Sequence, residues 1–317
     1  MSLEERKNLY LAGIGVSHSI APPMHNHISA YLSLPCTFTN VECPNVESVV
    51  ELFRAPSFAG GVVTMPYKQS IMPYLDELDP LCTMLGACNN VYLTHEGKLR
   101  GMNTDWRGIK GCLLEGEKSA GKAGQGRGKP ALIIGAGGAS RAAVYALCIE
   151  LGCAEIYVIN RDEGEVNALL ADTKAYTSTS SPSPGLTSQV PKITHVTSVT
   201  QPSTLPTPFY IVGTVPDFEP QSPSEILCRD ILASFLDQDE KGVLLDMCFK
   251  PRNTRILKMG RKQGWTVVDG TGVIGHQIKE QWRLWAGAGE DGRKQIPQEE
   301  AWEVLRREAE SSRAINF

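Results

Sequence analysis

The spacing of apolar positions changes along the 317-residue chain, and the changes separate strands from helices. The clearest stretch is KPALIIGAGGASRAAVYALCIELGCAEIYVINRD at 129–162. Its apolar run at 131–134 fits a strand buried on both faces. A glycine turn follows, then an Ala- and Leu-rich helix over 139–151 that stops at Gly152. A second β-rich run at 155–159 completes a βαβ unit with parallel strands. Upstream, 9–16, 37–41 and 61–65 read as strands, and 25–32, 46–53 and 69–75 as helices. Downstream, strands resume at 210–212, 243–247 and 266–268. A helical pattern over 273–285 carries Ile274, Ile278, Trp282 and Trp285, and 298–310 is a second amphipathic helix. Both parts of the chain therefore read as α/β.

Two segments break the pattern. EGEKSAGKAGQGRGK at 115–129 is polar and reads as a surface connection near a domain boundary. Residues 171–208 are loaded with Ser, Thr and Pro, a composition that cannot fill a core, and most of this stretch reads as a mobile surface insertion. At about 150 residues per domain, the length predicts two domains.

Composition narrows the class. Hydrophobic residues are 42% and charged residues 21%, the proportions of an ordinary soluble protein. No run approaches the about 18 apolar residues of a membrane helix, and the charged start MSLEERKNLY lacks a secretory h-region. The 31 basic and 35 acidic residues give a net charge of −4 without long runs of either sign. This balance argues against nucleic-acid and anionic-membrane partners. Nine cysteines with no C-x-x-C pair argue against a disulfide framework or structural zinc. A reduced, cytoplasmic protein is expected.

GAGGAS at 135–140 sits where a dinucleotide fingerprint belongs. Gly135 permits the tight turn, and Gly137 and Gly138 let the backbone approach a pyrophosphate. Ala139 opens a helix whose free N–H groups favour negative charge, and Ser140 replaces the third glycine with another small residue. At the end of the second strand, where the adenosine ribose is read, stand Asn160, Arg161, Asp162 and Glu163. An arginine there suits the 2′-phosphate of NADP, a carboxylate the free hydroxyl of NAD. The adjacent acidic pair favours NAD, with NADP the alternative.

Further clusters look chemical: GVSHSIAPPMHN at 15–26, GGVVTMPYK at 60–68, GACNN at 86–90 and GMNTDW at 101–106. A lysine and an aspartate beside an alcohol can exchange its proton. Spacing alone does not show that Lys68 and Asp105 meet; taken singly, each reads as a surface lysine or an Asx-turn.

In this order the motifs resemble the shikimate/quinate dehydrogenase family over nearly the whole chain. SHSIAP at 17–22 is similar to its hydroxyl-rich S-x-S-P loop, and Thr64-Met65-Pro66-Tyr67-Lys68 to its T-x-P-x-K strand end. Gly86 to Asn89 matches G-A-x-N, Asn103-Thr104-Asp105 matches N-T-D, and 135–141 matches G-A-G-G-A-x-R. Asp269, Gly270, Gly272 and Gln277 match D-G-x-G…Q.

The resemblance implies a substrate domain over 1–108 completed by 273–317, and a doubly wound parallel-sheet Rossmann domain over 109–272. The active site would lie in the cleft between them. Lys68 would be the general acid/base and Asp105 would orient the reacting hydroxyl. Ser19, Thr64, Asn89 and Gln277 would bind the ring acid, and Thr214 and Gly272 would lie near the cofactor. No metal is implied, His18, His25 and His27 being structural, and the chain would be a monomer or homodimer. Four positions depart from the family pattern: Ala21, Val62, Asn90 and Phe249 stand where a second hydroxyl, an Asn, a Thr and a Tyr are usual. The expected activity is interconversion of quinate and 3-dehydroquinate with NAD, and of shikimate as a second substrate. The rivals are an NADP-dependent shikimate dehydrogenase and a non-catalytic regulator that binds a ring acid.

Overall fold

The computed structural model describes residues 7–174, 192–290 and 292–317, and the chain divides into two units. One comprises 1–104 with 274–317, the other 105–273.

The first unit begins with strand β1 (Lys7–Gly13), helix α1 (Ala21–Tyr31), β2 (Cys36–Glu42), α2 (Val46–Arg54) and β3 (Phe58–Val63). Then come β4 (Glu77–Leu78), α3 (Pro80–Leu85), β5 (Asn90–Leu93) and β6 (Leu99–Met102). The sheet order is β2-β1-β3-β5-β6-β4, with β1 parallel to β2 and β3 and with β5 antiparallel to both of its neighbours. Phe53 of α2 stacks on Phe58 of β3 with ring centroids 4.7 Å apart, in a core shared with Val63, Tyr67 and Val91. The helix expected at 69–75 is instead a single 3₁₀ turn at Met72–Tyr74. Pro73 lacks the N–H that a continuing helix needs.

The second unit holds α4 (Asp105–Ser119), β7 (Ala131–Ile134), α5 (Gly138–Tyr145), β8 (Ile156–Ile159), α6 (Glu163–Lys174) and β9 (Ile193–His195). It continues with β10 (Tyr210–Gly213), α7 (Pro223–Leu236), β11 (Val243–Asp246), α8 (Arg255–Lys262) and β12 (Thr266–Val268). All six strands are parallel, in the order β12-β11-β10-β7-β8-β9. This is the 3-2-1-4-5-6 order of the Rossmann fold, and the winding reverses between β7 and β10. Strands β7, β8, β10 and β11 are buried at every residue, which accounts for their unbroken apolar runs.

Helix α4 occupies the start of the polar stretch expected to be a surface connection, and the boundary expected at 108 falls inside it. Its Glu117 is buried and accepts from Gly124 N (3.0 Å), Gly126 N (3.0 Å) and the Tyr210 hydroxyl (2.6 Å). One carboxylate thus folds the following glycine-rich turn onto the helix. The Ser/Thr/Pro-rich stretch is also smaller than expected. Residues 171–174 close α6, and 193–195 form β9, which pairs with β8. A three-residue edge strand is too short to leave a readable alternation. Residues 175–191 of that stretch lie outside the described residues.

At the C-terminal end, α9 (Thr271–Gly275) is followed by α10 (Ile278–Ala286) and α11 (Gln298–Ser311). The one helix expected over 273–285 is therefore two, with Gln277 at the N-cap of the second. No helix among the described residues is long and apolar enough to cross a membrane.

Candidate active site

In the first unit, backbone hydrogen bonds gather the expected residues from separate loops. Val63 N donates to Asn89 O at 2.9 Å, which sets Thr64 beside Asn89. Cys88 N donates to Lys68 O at 2.6 Å, fixing the lysine's backbone to the same turn. That turn starts where Gly86, at φ 65°, ends α3 in the left-handed region that glycine adopts without strain. Lys68 and Thr64 are partly exposed, whereas Asn89 is buried. Ser19 lies on the loop after β1, where its carbonyl accepts from Asn40 Nδ2 at 3.1 Å. The start of that loop is tied to the end of β3 by Ile14 N donating to Met65 O at 3.0 Å.

Below the turn is a buried amide–hydroxyl network. Asn89 Nδ2 donates to Gln277 Oε1 at 2.9 Å and to Thr104 Oγ1 at 3.2 Å. Thr104 N donates to Asn89 Oδ1 at 2.6 Å, and its hydroxyl donates to Gln277 Oε1 at 2.6 Å. Asn103 Nδ2 reaches Ala87 O at 2.9 Å. Residues 188 positions apart in sequence are thereby joined side chain to side chain. Asp105, buried, follows Thr104 directly as the first residue of α4. The buried His25 accepts from Trp282 Nε1 at 3.1 Å, and burial pushes its pKa down to about 3, so it is neutral. That bond fastens α1 to α10.

In the second unit the glycine turn lies at the sheet's reversal point. A Cβ on Gly135, whose φ is 113°, would stand 2.5 Å from Thr214 Oγ1. At Gly137, the N-cap of α5, a Cβ would meet nothing within 4 Å. The loop is thus closed on the sheet side and open before a helix N-terminus, as a pyrophosphate requires. Gly138 opens the helix, with Ala139 beside it. Ser140 Oγ is 2.8 Å from Thr214 Oγ1, and Thr214 Oγ1 donates to Ile134 O at 2.8 Å. The serine that replaces the third glycine therefore ties the helix to the neighbouring strand end. Gly272 lies on α9, where a Cβ would approach Cys112 Sγ to 3.0 Å.

At the end of β8, Asn160 Nδ2 donates to Glu165 Oε2 at 2.9 Å, and Asp162 Oδ1 accepts from Glu165 N at 3.1 Å. Arg161 pairs with Glu225. Asn160 and Arg161 line a cavity together with His195, Ser224, Leu227 and Cys228.

A model described as the shikimate dehydrogenase substrate-binding domain matches residues 11–91. Quinate dehydrogenase of Emericella nidulans is 36% identical over 299 residues, spanning 88% of this chain and 87% of that one. The chain belongs to the shikimate/quinate dehydrogenase family. It is therefore a dehydrogenase-family oxidoreductase. Shikimate 5-dehydrogenase from Thermus thermophilus, solved in complex with NADP(H) and shikimate, is 25% identical with a TM-score of 0.68. The alignment covers 95% of this chain and 99% of that one. Quinate dehydrogenase from Corynebacterium glutamicum in complex with NAD, at 22% identity, shares the fold with a TM-score of 0.72 over 95% of this chain and 99% of that one.

The domain match covers Ser19, Thr64, Lys68 and Asn89 of this family member and ends before Asp105 and Gln277. Three residues with defined places in these two regions were not singled out from the sequence. Thr104 lies inside the N-T-D motif yet joins Asn89 to Gln277. Arg141 ends the glycine motif. Buried, it donates to Ala136 O (2.9 Å), Gly137 O (3.2 Å) and Asp172 Oδ2 (2.8 Å from Nε), holding the loop's carbonyls toward the helix. Glu225 carries a legible signal, the S-x-x-E capping box that begins α7 at Ser222.

Proposed function

We propose that this family member is an NAD-dependent quinate dehydrogenase that also accepts shikimate. The residues of 1–104 with 274–317, together with Asp105, bind the ring acid, and those of 106–273 bind the dinucleotide. The observation that carries the reading is the buried Asn89–Thr104–Gln277 network beneath the turn bonded to Lys68. Three polar side chains held in fixed directions suit a polyhydroxylated acid, because each substrate hydroxyl then meets a pre-set partner. The 36% identity to a quinate dehydrogenase supports quinate as the main substrate.

In the oxidising direction Lys68 takes the proton of the reacting hydroxyl, and in the reverse direction it returns that proton. Asp105 orients the hydroxyl. Ser19 and Thr64 bind the substrate's carboxylate and a ring hydroxyl, and Asn89 and Gln277 bind the remaining hydroxyls. NAD supplies the hydride acceptor when bound. For it, Gly135, Gly137, Gly138, Ala139 and Ser140 receive the pyrophosphate, and Asn160, Arg161 and Asp162 the ribose. Thr214 and Gly272 contribute at the nicotinamide end.

The neighbour solved with NADP(H) and shikimate keeps an NADP-dependent shikimate dehydrogenase as the rival reading. Initial rates with quinate and shikimate, each with NAD and NADP, separate the two. Quinate with NAD is expected to give the highest kcat/KM. Dominance of shikimate with NADP overturns the choice. A ring acid that binds without any nicotinamide reduction would make the chain a regulator.

A further inference from the structure

Arg161, which lines the cavity beyond β8, pairs with Glu225 of α7, the helix whose Ser224, Leu227 and Cys228 line the same cavity. An exposed pair contributes little to stability by itself, and Arg161 is 64% exposed. One partner, however, is anchored by backbone hydrogen bonds. Glu225 closes the capping box of α7: Oε2 accepts from Gln221 N at 3.1 Å and Ser222 N at 3.0 Å, while Ser222 Oγ accepts from Glu225 N at 3.3 Å. The helix dipole also favours negative charge at this end. Those backbone donors, with the Arg161 guanidinium, bring the carboxyl pKa down to about 2, so the charge is present at any working pH.

We propose that Glu225 determines cofactor specificity, holding Arg161 and presenting a fixed negative charge that excludes the 2′-phosphate of NADP. This rests on reading the cavity as the adenosine-ribose end of the dinucleotide site. A phosphate monoester carries about −1.5 to −2 charges at pH 7. To use Arg161 it must displace an anchored carboxylate or lie beside it. Asp162 is engaged with Glu165 N and adds a second negative group on the same turn. The free 2′-hydroxyl of NAD meets no such repulsion. Specificity then comes from a repulsive element as much as an attractive one. The arginine, which alone would suit NADP, is present but committed elsewhere.

The test uses the full chain and Glu225→Gln. Glutamine at this position still completes a capping box, so α7 is retained while the charge is lost. Binding of adenosine 2′,5′-bisphosphate and 5′-AMP is measured by calorimetry, alongside kcat/KM with NADP and NAD. Glu225→Gln is expected to tighten the bisphosphate about tenfold relative to 5′-AMP and to raise the NADP/NAD ratio similarly, most at low salt. Adding Arg161→Ala should abolish the gain, and Glu225→Asp, which keeps the charge, should preserve the NAD preference. Unchanged ratios in Glu225→Gln, with wild type binding both nucleotides, overturn the role of Glu225 alone. Wild type that binds neither nucleotide and reduces neither cofactor overturns the nucleotide reading and the proposal with it.

Discussion

Val62 on β3 and Asn90 on β5 face each other across the antiparallel pair. Both are positions where the chain departs from its family's pattern, an aliphatic residue replacing an amide and an amide replacing a threonine. Directly opposed residues on one sheet face have Cβ atoms about 4.5–5.5 Å apart. The position that lacks an amide and the one that carries it are thus cross-strand neighbours, a relation invisible at 28 residues' separation. Asn90 is fully buried, and neither of its amide atoms finds a partner among the described residues.

An unsatisfied buried amide costs about 1–3 kcal/mol. Asn90→Leu, close in volume, is therefore expected to stabilise the protein by about 1 kcal/mol in urea unfolding. It should also raise KM for the ring acid. A variant that is both less stable and unchanged in KM would show that Asn90 is a packing residue only.

Lys68→Met removes the proposed proton carrier and keeps most of the side chain's length. A positioned acid/base contributes about 10²–10⁴-fold, so kcat should fall by that range. Nucleotide affinity should persist, because the glycine loop belongs to the other unit. Stopped-flow turnover and calorimetry read the two quantities separately. Retained turnover would remove Lys68 from the mechanism.

Gln277 accepts from Asn89 and from Thr104 through one oxygen. Gln277→Leu leaves both donors buried without that acceptor, at about 1–3 kcal/mol. The unfolding midpoint should drop, and Thr104→Val in the same background should lower it further, since Thr104 Oγ1 is the other acceptor of Asn89 Nδ2. Simple additivity of the two changes would mean that the contacts are independent.

Asp246, at the end of β11, accepts from Thr254 Oγ1 (2.7 Å) and Cys248 N (3.2 Å). Burial outweighs these bonds and pushes its pKa up to about 7 from an ordinary 3.8. Between those values the native state binds more protons than the unfolded chain. Stability therefore falls as pH rises from about 4 to about 7, by up to about 1.4 kcal/mol per pH unit, and levels off above. Asp246→Asn should flatten that slope and be the more stable protein at pH 8. Unfolding at pH 5 and pH 8 decides it: parallel slopes in both proteins would assign the titration to another group.

Much of this was written locally. The strand–glycine–helix–strand of 129–159 depends on contacts between near neighbours, on chain reversal by Gly135 and on the left-handed Gly152 after α5 and the π-helical turn (Ala146–Glu150) that continues it, so it is legible without the fold. Strands buried on both faces are continuous apolar runs, and four of the six in the parallel sheet announce themselves that way. Elements whose stability comes from elsewhere are silent. β9 has three residues and exists because β8 offers it an edge, and α4 runs into glycine-rich sequence because Glu117 gathers the turn that follows.

The candidate site divides in the same way. Residue types and their order along the chain were enough to name the family and to put forward Lys68, Asp105 and the glycine loop as candidates, since these chemistries need particular side chains at particular turns. What a side chain is bonded to is another matter, because a hydrogen bond is set by a few ångströms in space and not by separation along the chain. Arg161 read as a group open to a phosphate until the fold brought α7 beside it and Glu225 onto its guanidinium. Asn89 and Gln277 were two separate motifs until packing put 2.9 Å between them.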